Sequence, residues 1–425
     1  MRRGPGIASP RRRLPIPDAW VCGLLLVACE APAETRVPSP VASAVASSPA
    51  PAVTGASPAK APASPVAPAP LVVRGRIVDL AAGDAFTCAA LAGGRVQCWG
   101  DNEQEQLGAG PGPDRRRPVT VAGVEDAVEL AAGRGHACAR RRSGHVVCWG
   151  DDRLAQLGRG HARSEPAPAE VVGLDDAVQI GAGPATTCAL RRTGAAVCWG
   201  ANDAGQATPV DDDCRPIEGG GSRCERPVEI PDLASAVEVR AGGFRSCARL
   251  ADGHVTCWGT LADATLGYQA MFRVTRDTVA GVDDAVQIGV GLQHTCARRA
   301  MGDVVCWGRP EHDQRPSEIR AVGNLPDARS IAAGSYATCA VRAAGPVACW
   351  ERDPVLVAGG RTFRAGAEEA PGLAGAARIA VGGGHTCALF EDGRVLCSGL
   401  NEHGQLGDGS IRDRARPVAV KELGL

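Results

Sequence analysis

Two cysteines stand ten positions apart seven times in this chain: Cys88/Cys98, Cys138/Cys148, Cys188/Cys198, Cys247/Cys257, Cys296/Cys306, Cys339/Cys349 and Cys387/Cys397. The first members follow one another at intervals of 50, 50, 59, 49, 43 and 48 residues. A period of that length, rich in glycine and β-forming residues, indicates a solenoid or a propeller rather than one enzyme core.

The unit around Cys138 and Cys148 reads A-V-E-L-A-A-G, then two variable residues, then a cysteine hairpin ending C-W-G. Glycine always stands six residues after the first cysteine: Gly94, Gly144, Gly194, Gly253, Gly302, Gly345 and Gly393. A three-residue hairpin loop needs glycine last, where the backbone turns left-handed. With Ala92, Gly93 and Gly94 as that loop, Leu91 pairs with Arg95, Ala90 with Val96, and Cys88 faces Cys98. The alternation of pair types makes the cysteines a non-hydrogen-bonded pair, about 4.5 Å apart at Cα and within disulfide reach. The same count applies to all seven hairpins.

Each hairpin follows a strand-like segment, as at 77–80 and 127–131, and most precede a short run after proline, as at 118–121 and 227–230. Three to four short strands per repeat make one propeller blade, so the chain is expected to be all-β with seven blades over 71–425. Residues 71–73 and 418–420 both resemble the post-proline strand, so either could close the ring. Tryptophan follows the second cysteine in six blades (Trp99, Trp149, Trp199, Trp258, Trp307 and Trp350), and Ser398 takes that place in the seventh. Neighbouring strand residues point to opposite faces, so cysteines occupy one face of a blade and indoles the other. Both faces are expected to be covered, because the sheets of a propeller pack face to face, with the indoles filling the space between blades.

The amino terminus carries Arg2, Arg3 and Arg11 to Arg13, then a short apolar run ending Leu-Val-Ala-Cys at 26–29. This describes a signal peptide over 1–28, and its ending resembles the bacterial lipoprotein box, which implies lipidation of Cys29. The run is too short to span a membrane. Residues 29–70 are nearly all Ala, Pro, Ser and Val, with ten prolines between Ala31 and Pro70. Such a segment buries no core and reads as a disordered tether. Of eighteen cysteines, Cys22 leaves with the signal and Cys29 is lipidated, so the seven hairpin pairs plus Cys214/Cys224 account for the rest. Full pairing suits an oxidising compartment. The expected location is the cell envelope, on a lipid anchor, at the outer membrane or cell surface rather than the inner membrane.

The phrase G-x-x-H-T-C-A-L, then D-G-R-V-x-C-x-G, then N-E-H-G-Q-L-G-D-G at 401–409 resembles the regulator of chromosome condensation repeat family. The resemblance covers 71–425 and implies a seven-bladed propeller. Blades 1 and 2 keep a version of the last phrase at 101–110 and 151–160, whereas blades 3 to 6 read as having lost it. Founders of the family act on a small GTPase and bind chromatin, partners that an exported protein does not meet.

The net charge of −1 gives no electrostatic case for nucleic acid. The chain shows no G-x-S-x-G, H-E-x-x-H, Walker loop or C-x-x-C, so no enzyme, no cofactor and no metal is expected. His136, His294 and His385 share one layer and read as structural, and Asp211, Asp212 and Asp213 as a solvated acidic loop. The residues before each first cysteine vary while the frame recurs. Phe244, Arg245, Gln293 and Tyr336 bring hot-spot chemistry to one end of the ring. The expected function is display of a protein-binding face by a monomeric, non-enzymatic lipoprotein whose partner is an unidentified protein of the envelope or extracellular space. Inhibition of a secreted enzyme, in the manner of propellers that cover β-lactamase active sites, is the first alternative and a carbohydrate-binding lectin the second.

Overall fold

The computed structural model describes residues 75–163, 165–210, 213–218, 220–233, 235–260, 275–308, 319–351 and 367–424. Their regular structure forms seven antiparallel sheets, six of four strands and one of five, each drawn from one stretch of sequence. Blade 1 runs Ile77–Ala82, Phe86–Leu91, Val96–Gly100 and Arg115–Thr120, and blade 7 runs Ala376–Val381, His385–Phe390, Val395–Gly399 and Arg414–Ala419. The signal segment, Cys29 and the tether lie outside the described residues.

The hairpin register is the expected one. Leu91 N–H donates to Arg95 O at 2.9 Å, Gly94 N–H to Leu91 O at 2.7 Å, and Gly94 has φ +88°. Cysteines face one another in all seven hairpins, with Cα atoms 4.0–4.1 Å apart, and each pair is a disulfide. In blades 4 and 5 these are Cys247–Cys257 and Cys296–Cys306. Cys214–Cys224 is the eighth disulfide. It staples an extra hairpin in blade 3, where Arg215–Pro216 pairs with the start of Ser222–Glu229.

The described residues share no common core. Buried apolar side chains form seven clusters, each shared by two adjacent blades. The pleat explains their content: the disulfide of one blade packs against the indole of the next. Cys88 and Cys98 share a cluster with Trp149, Cys138 and Cys148 with Trp199, and Cys387 and Cys397 with Trp99.

The expectation that both faces of every blade are covered needs correction at Cys306 and Cys349, which are half-buried. In blades 4 and 5, Cys247 and Cys296 are fully buried, whereas their partners Cys257 and Cys306 are 8% exposed and half-buried. Both sit under indoles that are themselves less enclosed: Trp307 is 6% exposed over Cys257, and Trp350 is half-buried over Cys306. Trp350 donates its indole N–H to Cys306 Sγ at 3.3 Å. Sulfur is a weak acceptor, so this indole is held less firmly than those that reach a carbonyl. Between blades 6 and 7 Ser398 supplies no indole, and a cavity of about 790 Å³ reaches from the Cys339–Cys349 pair to Ser398 and Arg414.

A buried indole N–H needs an acceptor. Trp149, Trp199, Trp258 and Trp99 donate to the carbonyls of Gln106, Gln156, Gln206 and Gln405 at 2.9–3.1 Å, each glutamine lying in the long loop of the preceding blade. That loop is folded by the Asn or Asp two residues after the third strand's glycine: Asn102, Asp152, Asn202 and Asn401 accept the backbone N–H five residues on. Blade 3 therefore keeps the working part of the phrase, against the reading that it is lost there. Ala201 begins a shortened loop, but Asn202 and Gln206 still perform both tasks. The corresponding loops of blades 4 to 6 lie outside the described residues.

A second seam device comes from the third residue of the first strand in blades 1 to 5. Asp79, Glu129, Gln179, Glu238 and Gln287 each accept a backbone N–H from the next blade, at Leu130, Ile180, Val239, Ile288 and Ile331. Burial pushes the Asp79 and Glu129 carboxyls above the usual range, with hydrogen bonds and arginines pulling them back.

Among the described residues the ring closes without a shared strand; the 71–73 run lies outside them. The 418–420 run belongs to the outer strand of blade 7, paired with Val395–Gly399, and blade 1 builds its own outer strand. Side chains join the two: Arg378 to Asp79 at 2.8 Å, His385 to Thr87 at 2.8 Å, and Trp99 to Gln405 O. Gly75 and Gly424 meet beside this seam, where the Gly424 N–H donates to Gln97 Oε1 at 2.8 Å.

Candidate functional site

The first strand of every blade ends at a glycine: Gly83, Gly133, Gly183, Gly242, Gly291, Gly334 and Gly382. Each glycine N–H donates to the carbonyl three residues on, as from Gly83 to Phe86 and from Gly242 to Arg245. The connection is therefore a hairpin with two central residues, and the third is already strand. The seven glycines form a closed ring. A Cβ on Gly133 would stand 2.3 Å from Gly183 O, one on Gly183 2.3 Å from Gly242 O, and so on round to Gly382, 2.4 Å from Gly83 O. No side chain fits between neighbouring blades at this level. The ring surrounds a constriction of about 40 Å³ at one end of a channel of about 650 Å³ lined by the seven inner strands.

The variable pairs sit on this ring: Asp84-Ala85, Arg134-Gly135, Pro184-Ala185, Gly243-Phe244, Leu292-Gln293, Ser335-Tyr336 and Gly383-Gly384. Backbone bonds fix them to one another and to the long loops outside them. Arg134 N–H donates to Pro184 O, Leu292 N–H to Ser335 O and Gly383 N–H to Asp84 O. Asp101, Asp151 and Thr260 N–H groups donate to Ala85, Gly135 and Phe244 O. The inner turns and outer loops thus share one face, which is held by main chain.

Phe244 and Gln293 are half-buried on this face, and Tyr336 is 39% exposed. Arg245 is not part of it. It is 5% exposed and takes the first strand position, the one His136 and His385 hold in their blades. The variable window reads as two or three residues in sequence, of which two are turn residues and the third a seam residue, which is why sequence alone misplaces Arg245. Around the mouth Arg134 approaches Asp84 at 3.8 Å, and the Ser335 hydroxyl donates to Asp84 at 3.3 Å.

The three histidines are seam residues. His136 meets Thr187 at 2.8 Å, His294 meets Thr338 at 2.7 Å and His385 meets Thr87 at 2.8 Å, each on the following blade. The hydroxyls of Thr187 and Thr87 donate to Gln156 O and Gln405 O, so they accept from the imidazole Nε2–H. Burial pushes His136 and His385 down to about 4, slightly opposed at His136 by Asp151. Unfolded histidine titrates near 6.5. A depressed folded value means that this stability is complete above about pH 6.5 and is lost as the pH falls toward about 4. Between about pH 6.5 and 5 each histidine should cost about 2 kcal/mol. Thr186 holds the same position in blade 3, so His136→Thr should reduce the pH dependence of denaturant melts by about that amount. An unchanged slope would show that His136 is charged when folded.

The profile of the regulator of chromosome condensation (RCC1) repeat matches residues 77–106, 127–156, 177–206, 285–314 and 376–405, and a second profile of this repeat matches 93–140 and 143–190. A curated relative, the mitochondrial RCC1 domain-containing protein RUG3 of Arabidopsis thaliana, is 46% identical over 46 residues. That match spans 11% of this chain and only 10% of the relative. Yeast RCC1 (Prp20), solved bound to Kap60, superposes with a TM-score of 0.63 at 19% identity, covering 80% of this chain and 84% of that one. A second structure of Prp20p from Saccharomyces cerevisiae, described with its binding to Gsp1p and histones, gives 0.63 at 18% identity over 82% and 88%. Likeness at that identity shows the fold alone.

Proposed function

The chain belongs to the regulator of chromosome condensation repeat family, and from that premise we propose that it is an exported, lipid-anchored propeller that binds a protein at the glycine-ring face. It acts by binding, without chemistry of its own. The observation that carries this reading is how the recurring and the varying side chains are divided. Those that recur, the indole N–H groups, seam threonines and strand carboxamides, are spent in bonds between blades. Those that vary, Phe244, Gln293 and Tyr336, stand on a face fixed by main chain. A preorganised surface with aromatic anchors suits a protein partner. Eight disulfides suit an oxidising compartment, and the 26–29 lipobox with its proline-rich tether supports an envelope location.

Crosslinking the tethered protein in its own envelope, followed by capture, tests this. The protein should follow the membrane pellet and leave it in Cys29→Ala. With the captured partner, Phe244→Ala and Tyr336→Ala should each weaken binding about thirtyfold, and Asp252→Ala, in a hairpin at the other end, less than about fivefold. Parental affinity in both aromatic variants with loss in the hairpin variant would place the interface on the wrong face. Capture of a secreted enzyme that loses activity in the complex would identify the inhibitory form of this reading.

A further inference from the structure

The loop face carries one cluster that neither the blade frame nor the binding surface uses. Asp101 and Asp114 flank the long loop of blade 1, and His403 lies in the matching loop of blade 7, 289 residues from Asp114. Ring closure brings them together. His403 Nδ1 stands 2.8 Å from Asp114 Oδ2 and 3.9 Å from Asp101 Oδ1. One donor atom of each lies within 4.8 Å of the other two.

We propose that Asp101, Asp114 and His403 form a binding site for a divalent transition metal of the zinc class, clasping blade 7 to blade 1. Two carboxylates alone would be an ordinary acidic patch. The imidazole nitrogen directed at both of them changes the chemistry, because calcium and magnesium take oxygen ligands while zinc and its neighbours take imidazole with carboxylate. Zinc holds such ligands at about 2.0–2.2 Å, so two donors on one ion stand up to about 4.2 Å apart, and a small side-chain rotation suffices here.

The donors are also set in place by the loops. Asp114 Oδ1 accepts Asn102 N–H at 3.1 Å, leaving Oδ2 toward His403. Asp101 accepts Glu103 N–H at 3.0 Å and the Gln106 amide at 2.8 Å. His403 N–H donates to Gln405 Oε1 at 3.0 Å. All three side chains are partly exposed, so an ion reaches them from solvent, and three ligands leave a position open.

The arrangement is particular to the closing seam. The residue whose N–H makes the His403 bond is Gln104 in blade 1, Leu154 in blade 2 and Ala204 in blade 3, and none of these side chains supplies an imidazole or carboxylate. Among the described residues, a device found only where blades 7 and 1 meet fits a closure clasp.

The test uses the mature chain without a histidine tag, stripped with chelator and titrated with zinc chloride or magnesium chloride by calorimetry and thermal melting. One zinc ion should bind per chain and raise the melting temperature, with magnesium silent. His403→Gln adopts the blade 1 residue and should fold, yet lose more than about a hundredfold in zinc affinity, beyond what changes outside the ligand set cause. Asp114→Asn should do the same. Absence of zinc binding, or binding undiminished in both variants, overturns the proposal.

Discussion

Complete reduction of the disulfides, in native buffer without denaturant, is expected to unfold the propeller. Each disulfide joins cysteines ten residues apart, and a loop of that size contributes about 2–3 kcal/mol in the chain-entropy model. Eight of them therefore represent about 20 kcal/mol against a typical net stability of about 5–15 kcal/mol. Non-additivity leaves room within that margin, but little else replaces them. Aromatic residues are only 3% of the chain, and the apolar core is divided among seven seams. Reduction should begin at Cys214–Cys224, Cys296–Cys306 and Cys339–Cys349, because Cys214, Cys306 and Cys349 are half-buried. Removing the Cys188–Cys198 bond alone, by replacing both residues with alanine, should cost about 2–5 kcal/mol. The indoles report the outcome: Trp99, Trp149, Trp199 and Trp258 are fully buried, so their fluorescence should shift to the red as thiols become alkylated. A protein with all its cystines reduced and alkylated, verified by mass, that keeps buried-indole fluorescence would show that the seams hold without staples.

The second large effect is expected at the glycine ring. In Gly183→Ala the new methyl would lie 2.3, 2.8 and 2.9 Å from Gly242 O, C and N. All three atoms are main chain, so no side chain can swing aside. Relief requires blades 3 and 4 to separate, and a closed ring passes that strain to the other seams. Overpacking in a core costs about 1–3 kcal/mol, and a backbone clash should cost about 3 kcal/mol or more. Gly93→Ala is the matched control. A Cβ there meets nothing within 4 Å and φ is not left-handed, so its effect should stay within about 0.5 kcal/mol. Chemical melts of both variants decide the matter, and equal stability would remove the ring from the account of how the blades are spaced.

The repeated cysteines and turn glycines carry most of the architecture. They predict seven hairpins in the register observed, and the tryptophan pattern predicts indoles between blades. First strands are legible to within a residue or two, with Ile77–Ala82 found where 77–80 is expected. Contacts between repeats are less legible. The glycine before each variable pair recurs in sequence, but its reason is a carbonyl on the next blade, about fifty positions away. The same applies to Thr187 beneath His136 and to the strand carboxamides. The pairing of Cys306 with Cys296 can be read from spacing, but its incomplete cover cannot, since it depends on how Trp350 settles on the neighbouring blade. Arg245 is misread because a turn residue and a first strand residue look alike until the glycine hydrogen bond sets the hairpin length. Blade 3 looks degenerate when identity is judged by its glycines, whereas the structure depends on Asn202 and Gln206. The Asp101–Asp114–His403 cluster cannot be seen at all in sequence, since only ring closure assembles it.

Closure by hydrogen bonds between two complete sheets, together with the meeting of Gly75 and Gly424, makes the point of entry into the circle arbitrary. Where a propeller shares a strand between its ends, the cut lies inside a sheet and can be moved only by breaking one. Here every sheet is complete in itself, so a circular permutant opened in the 2–3 blade connection, with Gly75 and Gly424 joined, retains all seven sheets and every disulfide. Orientation relative to an attachment point is then a free variable. Moving the opening from seam to seam shifts the chain ends around the ring without altering the surface that the glycine-ring face presents.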